Sequence, residues 1–323
     1  MNVITDITEL IGNTPLLRLK HFDIPEGTAV YAKLEMMNPG GSIKDRLGGM
    51  LIEDALRTGK VKPGGVIIEA TAGNTGIGLA LCARKHQLRA VFCVPEHFSR
   101  EKQQIMKALG ADIVHTPREE GMQGAIRKAL ELEREINNSY AVLQFKNRVN
   151  PLTYYKTIGP EIWNALGGDI HTFVAGAGSG GTFAGTAAYL KEKNPAVKTV
   201  IVEPEGSILN GGEPHAHKTE GIGMEFIPDY MDENHFDAIY TVEDDTAFSL
   251  VREAAEKEGL LIGSSSGAAL YAALEEAKKA PAGSNIVTIF PDGSDRYISK
   301  NIFQGGQLDE EKNADGARRN YGR

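Results

Sequence analysis

The amino-acid sequence predicts an α/β protein built on parallel sheets with helices on both faces. Three observations carry that expectation. Short apolar, β-branched runs alternate with segments that repeat leucine, isoleucine and alanine at helical spacing, which is the pattern of βαβ units. The strand–turn–helix pattern recurs on both sides of about residue 148, so two lobes are expected, although no close internal repeat is visible. A chain of 323 residues with 41% hydrophobic content can bury a full core in such an arrangement.

Taken in order, residues 29–34 read as a strand and a helix follows from Ser42, a residue suited to the N-cap. Residues 66–69 form the next strand and 76–86 the next helix. Strands over 90–94 and 112–115 flank a helix over 99–109, and a helix over 121–136 stops at Asn137-Asn138. A second series begins after Phe145, with helix 157–166, strand 172–175, helix 180–193, strand 199–202, helices 246–258 and 267–279, and strand 285–289. From about Asp309 the chain is charged and poor in apolar side chains, so 309–323 is expected to be a disordered tail. The lobes are expected as 46–148, smaller and mobile, and 1–45 with 149–308, larger.

A formal net charge of -8 argues against nucleic acid or an anionic membrane as the main partner. No apolar run approaches the ~20 residues that span a bilayer. Residues 1–10 alternate polar and apolar types without the basic-then-apolar order of an export signal, so a cytoplasmic location is expected. Cys82 and Cys93 lack CxxC spacing, which indicates neither a disulfide framework nor a structural zinc site. Cys82 and His86 stand four apart on an expected helix, but a small core cysteine is the commoner meaning. His215 and His217 fit a polar surface loop, so no metal is expected.

The chemistry gathers in glycine-rich segments. In Asn38-Pro39-Gly40-Gly41-Ser42-Ile43-Lys44-Asp45-Arg46 a single lysine sits in a turn-forming context. Such an amine attacks a carbonyl only when its surroundings keep part of it neutral and hold it still, which makes Lys44 a candidate Schiff-base lysine. The plain alternative is a surface lysine in a first helical turn, with Asp45 and Arg46 as ordinary first-turn charges. Thr71-Ala72-Gly73-Asn74-Thr75-Gly76 lies between a strand and a helix, where backbone amides favour an anion. Gly176-Ala177-Gly178-Ser179-Gly180-Gly181-Thr182 is a second turn of this kind and can wrap a phosphate. Gly176, Gly178 and Gly181 also satisfy GxGxxG, with Glu203 as a conceivable ribose acid, so a nicotinamide-dependent dehydrogenase is the alternative from another class. No glycine turn carries Gly-Lys-Ser or Gly-Lys-Thr, so a Walker loop fails. Gly263-Ser264-Ser265-Ser266-Gly267 is a third turn, ahead of an alanine-rich helix, and its plain meaning is a serine N-cap.

These segments together resemble one family. Ile11-Gly12-Asn13-Thr14-Pro15-Leu16, Lys33-Leu34-Glu35, the Lys44 and Asn74 turns, Gln144-Phe145, Gly159-Pro160-Glu161-Ile162-Trp163, the Gly178 turn, Glu203-Pro204, Gly221-Ile222-Gly223 and Ser265-Ser266-Gly267-Ala268 are similar, in order, to fold-type II pyridoxal phosphate enzymes of the cysteine synthase and cystathionine β-synthase family. The resemblance implies a tryptophan synthase β-like fold, two three-layer αβα lobes with pyridoxal 5'-phosphate between them. It implies Lys44 as covalent anchor and catalytic base, Gly178, Ser179, Gly180, Gly181 and Thr182 around the phosphate, Asn74 at the ring oxygen and Ser266 at the pyridine nitrogen. A neutral serine there leaves the ring a weaker electron sink than an aspartate would, which favours elimination of a β-leaving group.

The implied reaction is β-replacement on O-acetylserine or serine by a sulfur nucleophile. The donor carboxylate settles on Thr71, Ala72, Gly73, Asn74 and Thr75 with Gln144, beside the Gly221 loop, while Lys44 moves the α-proton. Ala72 stands where cysteine synthases usually have serine; its backbone N–H can still donate. Glu225 stands where cysteine synthases carry glycine and cystathionine β-synthases tend to carry an acid, so it is expected to hold the amino group of homocysteine, with sulfide as the alternative acceptor. Tyr154 replaces a frequent histidine without a functional account. The family also implies a homodimer and a lobe that closes over substrate.

Overall fold

The computed structural model describes residues 3–303 apart from His97, so the expected tail at 309–323 lies outside the described residues. Two sheets form the frame. The larger uses β1 (Leu16–Arg18), β2 (Ala29–Leu34), β7 (Thr172–Gly176), β8 (Lys198–Pro204), β9 (Ala238–Val242) and β10 (Asn285–Phe290), in the order β1-β2-β10-β7-β8-β9. Only β1 runs antiparallel to its neighbour. The smaller uses β3 (Val66–Ala70), β4 (Arg89–Pro95), β5 (Asp112–Thr116) and β6 (Ser139–Ala141), all parallel, in the order β5-β4-β3-β6.

Helices cover both sheets: α1 (Lys44–Arg57), α2 (Asn74–Lys85), α3 (Arg100–Ala108), α4 (Gly121–Glu135), α5 (Val149–Lys156), α6 (Ile158–Ala165), α7 (Gly181–Lys193), α8 (Asp244–Glu258) and α9 (Ser264–Lys279). Strands covered on both faces must be apolar throughout rather than alternating, and Val66, Ile67, Ile68, Glu69 and Ala70 of β3 are all buried. The fold is the expected α/β architecture of two sheet-centred lobes. None of the described helices is long and apolar enough to cross a membrane, and no cluster of metal-ligating side chains occurs among the described residues.

Four elements go beyond the expected set. β1 and β6 are three residues each, too short to show a period, and β9 is a half-buried edge. α5 contains Pro151, which the sequence presents as a breaker but which the first turn of a helix tolerates.

One crossing decides where the chemistry sits. α1 and α2 meet backbone to backbone: a Cβ on Gly48 would lie 2.4 Å from the Gly78 carbonyl oxygen, and one on Gly78 would lie 2.3 Å from the Lys44 carbonyl oxygen. Only glycine permits that approach, and it fixes the first turn of α1, with Lys44, against α2. Asp45 and Arg46 are not surface charges, because both are buried. Arg46 is held by Glu35 at 2.7 Å and by Glu161 at 2.6 Å, and Lys33 joins Glu161 at 2.6 Å. Burial alone would raise the Glu161 pKa, but the cations hold it down at about 2.

Candidate active site

A cavity of about 560 Å³ opens between the two sheets, at the carboxyl ends of β3, β7 and β10, where ligands of parallel α/β folds bind. Lys44 lies on its wall. The helix begins at Lys44 rather than at Ser42, whose hydroxyl accepts from the Lys44 N–H at 3.2 Å. Burial pulls the Lys44 ammonium down to about 8, with the Asp292 carboxylate opposing that shift. A fraction of the amine is thus neutral near physiological pH, as a nucleophile or base requires. The Tyr154 ring, fully buried, has its centroid 5.9 Å from Lys44 Nζ.

Thr71, Ala72, Gly73, Asn74 and Thr75 all reach the wall at the start of α2, with Gly73 as the N-cap. Gln144 joins them, its Oε1 accepting from Thr75 Oγ1 at 2.8 Å. The turn after β7 lies opposite. Gly178, Ser179, Gly180 and Thr182 line the cavity, and α7 starts at Gly181 after Gly180 in a left-handed conformation (φ 77°). There is no room for a side chain here: a Cβ on Gly181 would sit 1.9 Å from Asn150 Oδ1, and one on Gly178 2.2 Å from the Gly221 carbonyl oxygen. Asn150 ties the two turns together, donating to the Gln144 carbonyl at 3.0 Å and Ser179 Oγ at 3.1 Å. Two helix N-termini therefore present amides to one cavity, each suited to an anion.

Three expected residues are off the wall: Gly181, the first residue of α7, and Ser266 and Glu225. Ser265, not Ser266, lies on the wall. α9 begins at Ser264, so successive serines point about 100° apart around the helix, and Ser266 turns into the core, fully buried with an unpartnered hydroxyl. Glu225 is exposed and off the wall, because Ile222 and Met224 take the inward positions of its loop while Glu225 and Phe226 face out. Gly221 itself borders the cavity. Glu203 is unavailable to a ribose: it is buried and accepts from Leu209 N, Asn210 N and Thr241 Oγ1 at 2.8, 3.0 and 3.0 Å.

The sequence reading also missed part of the wall. Asp292, just beyond β10, accepts from Asn74 Nδ2 at 2.7 Å and Tyr297 Oη at 2.5 Å, and Arg296 Nη1 donates to Asn74 Oδ1 at 2.5 Å. Burial raises the Asp292 pKa against those donors. The Pro291-Asp292-Gly293 turn after a strand was the available signal. Lys102, Glu220 and Lys300 also line the cavity, and nothing local in the sequence marks them.

A buried lysine amine kept partly neutral, with two helix N-termini on the same cavity, has the make-up of a site for a carbonyl cofactor and an anionic substrate. Residues 7–292 match the family described as pyridoxal-phosphate dependent enzyme, and the chain belongs to that family, within its cysteine synthase and cystathionine β-synthase group. An O-acetylserine dependent cystathionine beta-synthase of Bacillus subtilis (strain 168) is 84% identical over 306 residues, covering 95% of this chain and 100% of that relative. A cysteine synthase of Helicobacter pylori (strain ATCC 700392 / 26695) is 56% identical, covering 94% of this chain and 100% of that protein. The crystal structure of O-acetylserine dependent cystathionine beta-synthase from Helicobacter pylori superposes with a TM-score of 0.91 at 55% identity, covering 94% of this chain and 100% of that one.

The residues present fit pyridoxal phosphate. Lys44 offers the amine, Gly178 and Gly180 leave backbone free of side chains beside Ser179 at the α7 N-terminus, and Ser265 puts a neutral hydroxyl on the wall.

Proposed function

We propose that this enzyme catalyses β-replacement on O-acetylserine with homocysteine as the acceptor, giving cystathionine. One observation carries the reaction class: Lys44 shares a single cavity with two anion-binding helix N-termini. The choice of donor and acceptor is supported by the relative that is 84% identical over its whole length. The relative named cysteine synthase favours a second reading, in which sulfide is the acceptor.

When bound, pyridoxal phosphate supplies an electron sink that acidifies the α-hydrogen of the donor amino acid. The chain's own residues do the rest. The Gly178, Ser179, Gly180, Gly181 and Thr182 turn would hold the phosphate, Asn74 would take the ring oxygen, and Ser265, in place of Ser266, would meet the ring nitrogen. Thr71, Ala72, Gly73, Asn74 and Thr75, with Gln144, receive the donor carboxylate. Lys44 Nζ removes the α-proton and returns it after the β-carbon has exchanged acetate for sulfur.

The four-stranded sheet lies wholly within residues 66–141, which supports 46–148 as the smaller, closing lobe and 1–45 with 149–308 as the larger. A cytoplasmic homodimer is the working assembly of this reading.

The purified enzyme is expected to be yellow, to change its visible band on O-acetylserine and to lose it on borohydride reduction. It should turn over homocysteine with a higher kcat/KM than sulfide. Lys44→Ala should lose both the covalent cofactor and turnover. Retained β-replacement in that variant sinks the reaction class, and a preference for sulfide in the wild type selects the second reading.

A further inference from the structure

The cavity carries a charged cluster that proton transfer and phosphate binding leave unused. Lys102 Nζ of α3 lies 2.6 Å from Glu220 Oε2, and Lys300 Nζ pairs with Glu220 Oε1. All three side chains line the same cavity as Lys44. They run from the interior to the mouth, with side-chain exposures of 5% for Lys102, 25% for Glu220 and 51% for Lys300.

The cluster is fixed to the wall. Glu220 N donates to Ser264 Oγ at 3.0 Å, and the neighbouring Thr219 N and Oγ1 donate to Asp244 at 2.8 and 2.6 Å. Glu220 is therefore held beside Ser265 and Gly221. Lys102 Nζ lies 4.4 Å from the Tyr297 ring centroid, and the Tyr297 hydroxyl reaches Asp292, whose charge is felt by Lys44. The cluster thus borders the reacting end of the cavity.

Lys102 and Lys300 both pair with Glu220, and the Asp292 carboxylate acts on Lys102 and that of Glu101 on Lys300, so the cluster presents both signs of charge at the mouth. These pairs are of the kind that an incoming carboxylate and ammonium can exchange with, the carboxylate replacing Glu220 at the lysines and the ammonium replacing a lysine at Glu220. Sulfide offers no carboxylate to the lysines and no ammonium to Glu220. An α-amino-acid thiol offers both, a carboxylate to the lysines and an ammonium to Glu220, in charge-assisted hydrogen bonds.

We propose that Lys102, Glu220 and Lys300 form the dock for the α-carboxylate and α-ammonium of the thiol acceptor, so that these residues, and not Glu225, select an amino-acid thiol over sulfide. This assignment rests on the acceptor reading given under Proposed function. Lys102 lies in the segment that carries the smaller sheet, whereas Glu220 and Lys300 do not, so an acceptor seated there also bridges the two halves of the cavity.

The test uses the holoenzyme with saturating O-acetylserine and four acceptors: homocysteine, γ-mercaptobutyrate without the ammonium, mercaptopropylamine without the carboxylate, and sulfide without either. Removing one partner of a charged hydrogen bond should cost about 10-fold or more in kcat/KM. Glu220→Gln should lose that factor with homocysteine and mercaptopropylamine relative to the other two acceptors. Lys102→Met should lose it with homocysteine and γ-mercaptobutyrate relative to the other two. Equal losses on all four acceptors mean a structural latch and overturn the dock, as do unchanged ratios. If the wild type turns over sulfide but not homocysteine, the acceptor reading itself falls and takes the dock with it; a wild type that prefers homocysteine with insensitive variants removes the dock alone.

Discussion

Gly78→Ala is a small change far from any reacting atom, yet it should disable the enzyme through the α1–α2 crossing. The new Cβ would stand 2.3 Å from the Lys44 carbonyl oxygen, 2.7 Å from its carbonyl carbon and 3.0 Å from Asp45 N. Ordinary contact begins near 3.5 Å, so the first turn of α1 must retreat by roughly 1 Å, and both obstructing groups are backbone. Alanine in a helix gains about 0.8–1 kcal/mol over glycine, while overpacking of this kind costs about 1–3 kcal/mol, so a net loss of up to about 2 kcal/mol is expected. The effect on catalysis is larger, since about 1 Å of misplacement at a reacting group can cost on the order of 100-fold. Gly49→Ala is the control: its Cβ meets only Cys82 Sγ, at 3.8 Å, so it should keep activity and gain up to about 1 kcal/mol. Thermal unfolding and kcat of both variants, with the cofactor's visible band, read the outcome. Wild-type kcat in Gly78→Ala would refute the argument that this backbone crossing positions Lys44.

Three further predictions follow from ionisation and burial. Burial lowers the Lys44 ammonium from 10.5 to about 8, so apoenzyme should capture pyridoxal phosphate with a rate that rises with a midpoint near pH 8; a midpoint near the free-lysine value contradicts this. Between those two values the folded apoenzyme binds fewer protons than the unfolded chain at this site, so its contribution to stability grows as pH rises and is lost as pH falls through about 8. Glu69, at the end of β3, is pushed up to about 8 by burial that the Gln144 and Leu143 amides only partly offset, and its Oε2 has no partner. The folded state keeps that proton between 4.5 and about 8 while the unfolded chain loses it, so this stabilisation fades as pH rises; Glu69→Gln should flatten that decline in urea titrations at pH 5 and 9. Ser265→Ala should shift the visible band of bound cofactor. Ser266→Ala should leave that band in place and stabilise by about 1 kcal/mol, because it removes an unpartnered buried hydroxyl.

Much of the fold was legible because parallel strands buried on both faces are written as continuous apolar runs. Ala29–Leu34 has the bounds expected, and Val66–Ala70, Thr172–Gly176 and Asn285–Phe290 extend the expected runs by one residue. Helix starts shifted where a glycine or an extended residue caps the turn: α2 begins at Asn74 after Gly73, and α9 at Ser264 after Gly263. The two anion turns were legible for the same local reason, since strand, glycine turn and helix N-terminus are contiguous in the chain. The serine turn was legible only as a turn. Which of Ser265 and Ser266 faces the cavity depends on the helical phase, which is set by where the helix begins.

By itself the sequence determined the α/β class and singled out Lys44 and the two glycine turns that the structure brings to one cavity, because each is encoded within a dozen contiguous residues. Only the tertiary structure decided which distant charged residues share the cavity wall. Asp292 meets Asn74 across 218 positions and Lys102 meets Glu220 across 118, and charges that pair over such separations leave no local pattern. The same physics leaves Glu225 off the cavity wall and puts Glu220 on it: a loop's buried apolar residues choose which of its charges faces the cavity, and that choice is made by packing against the rest of the fold.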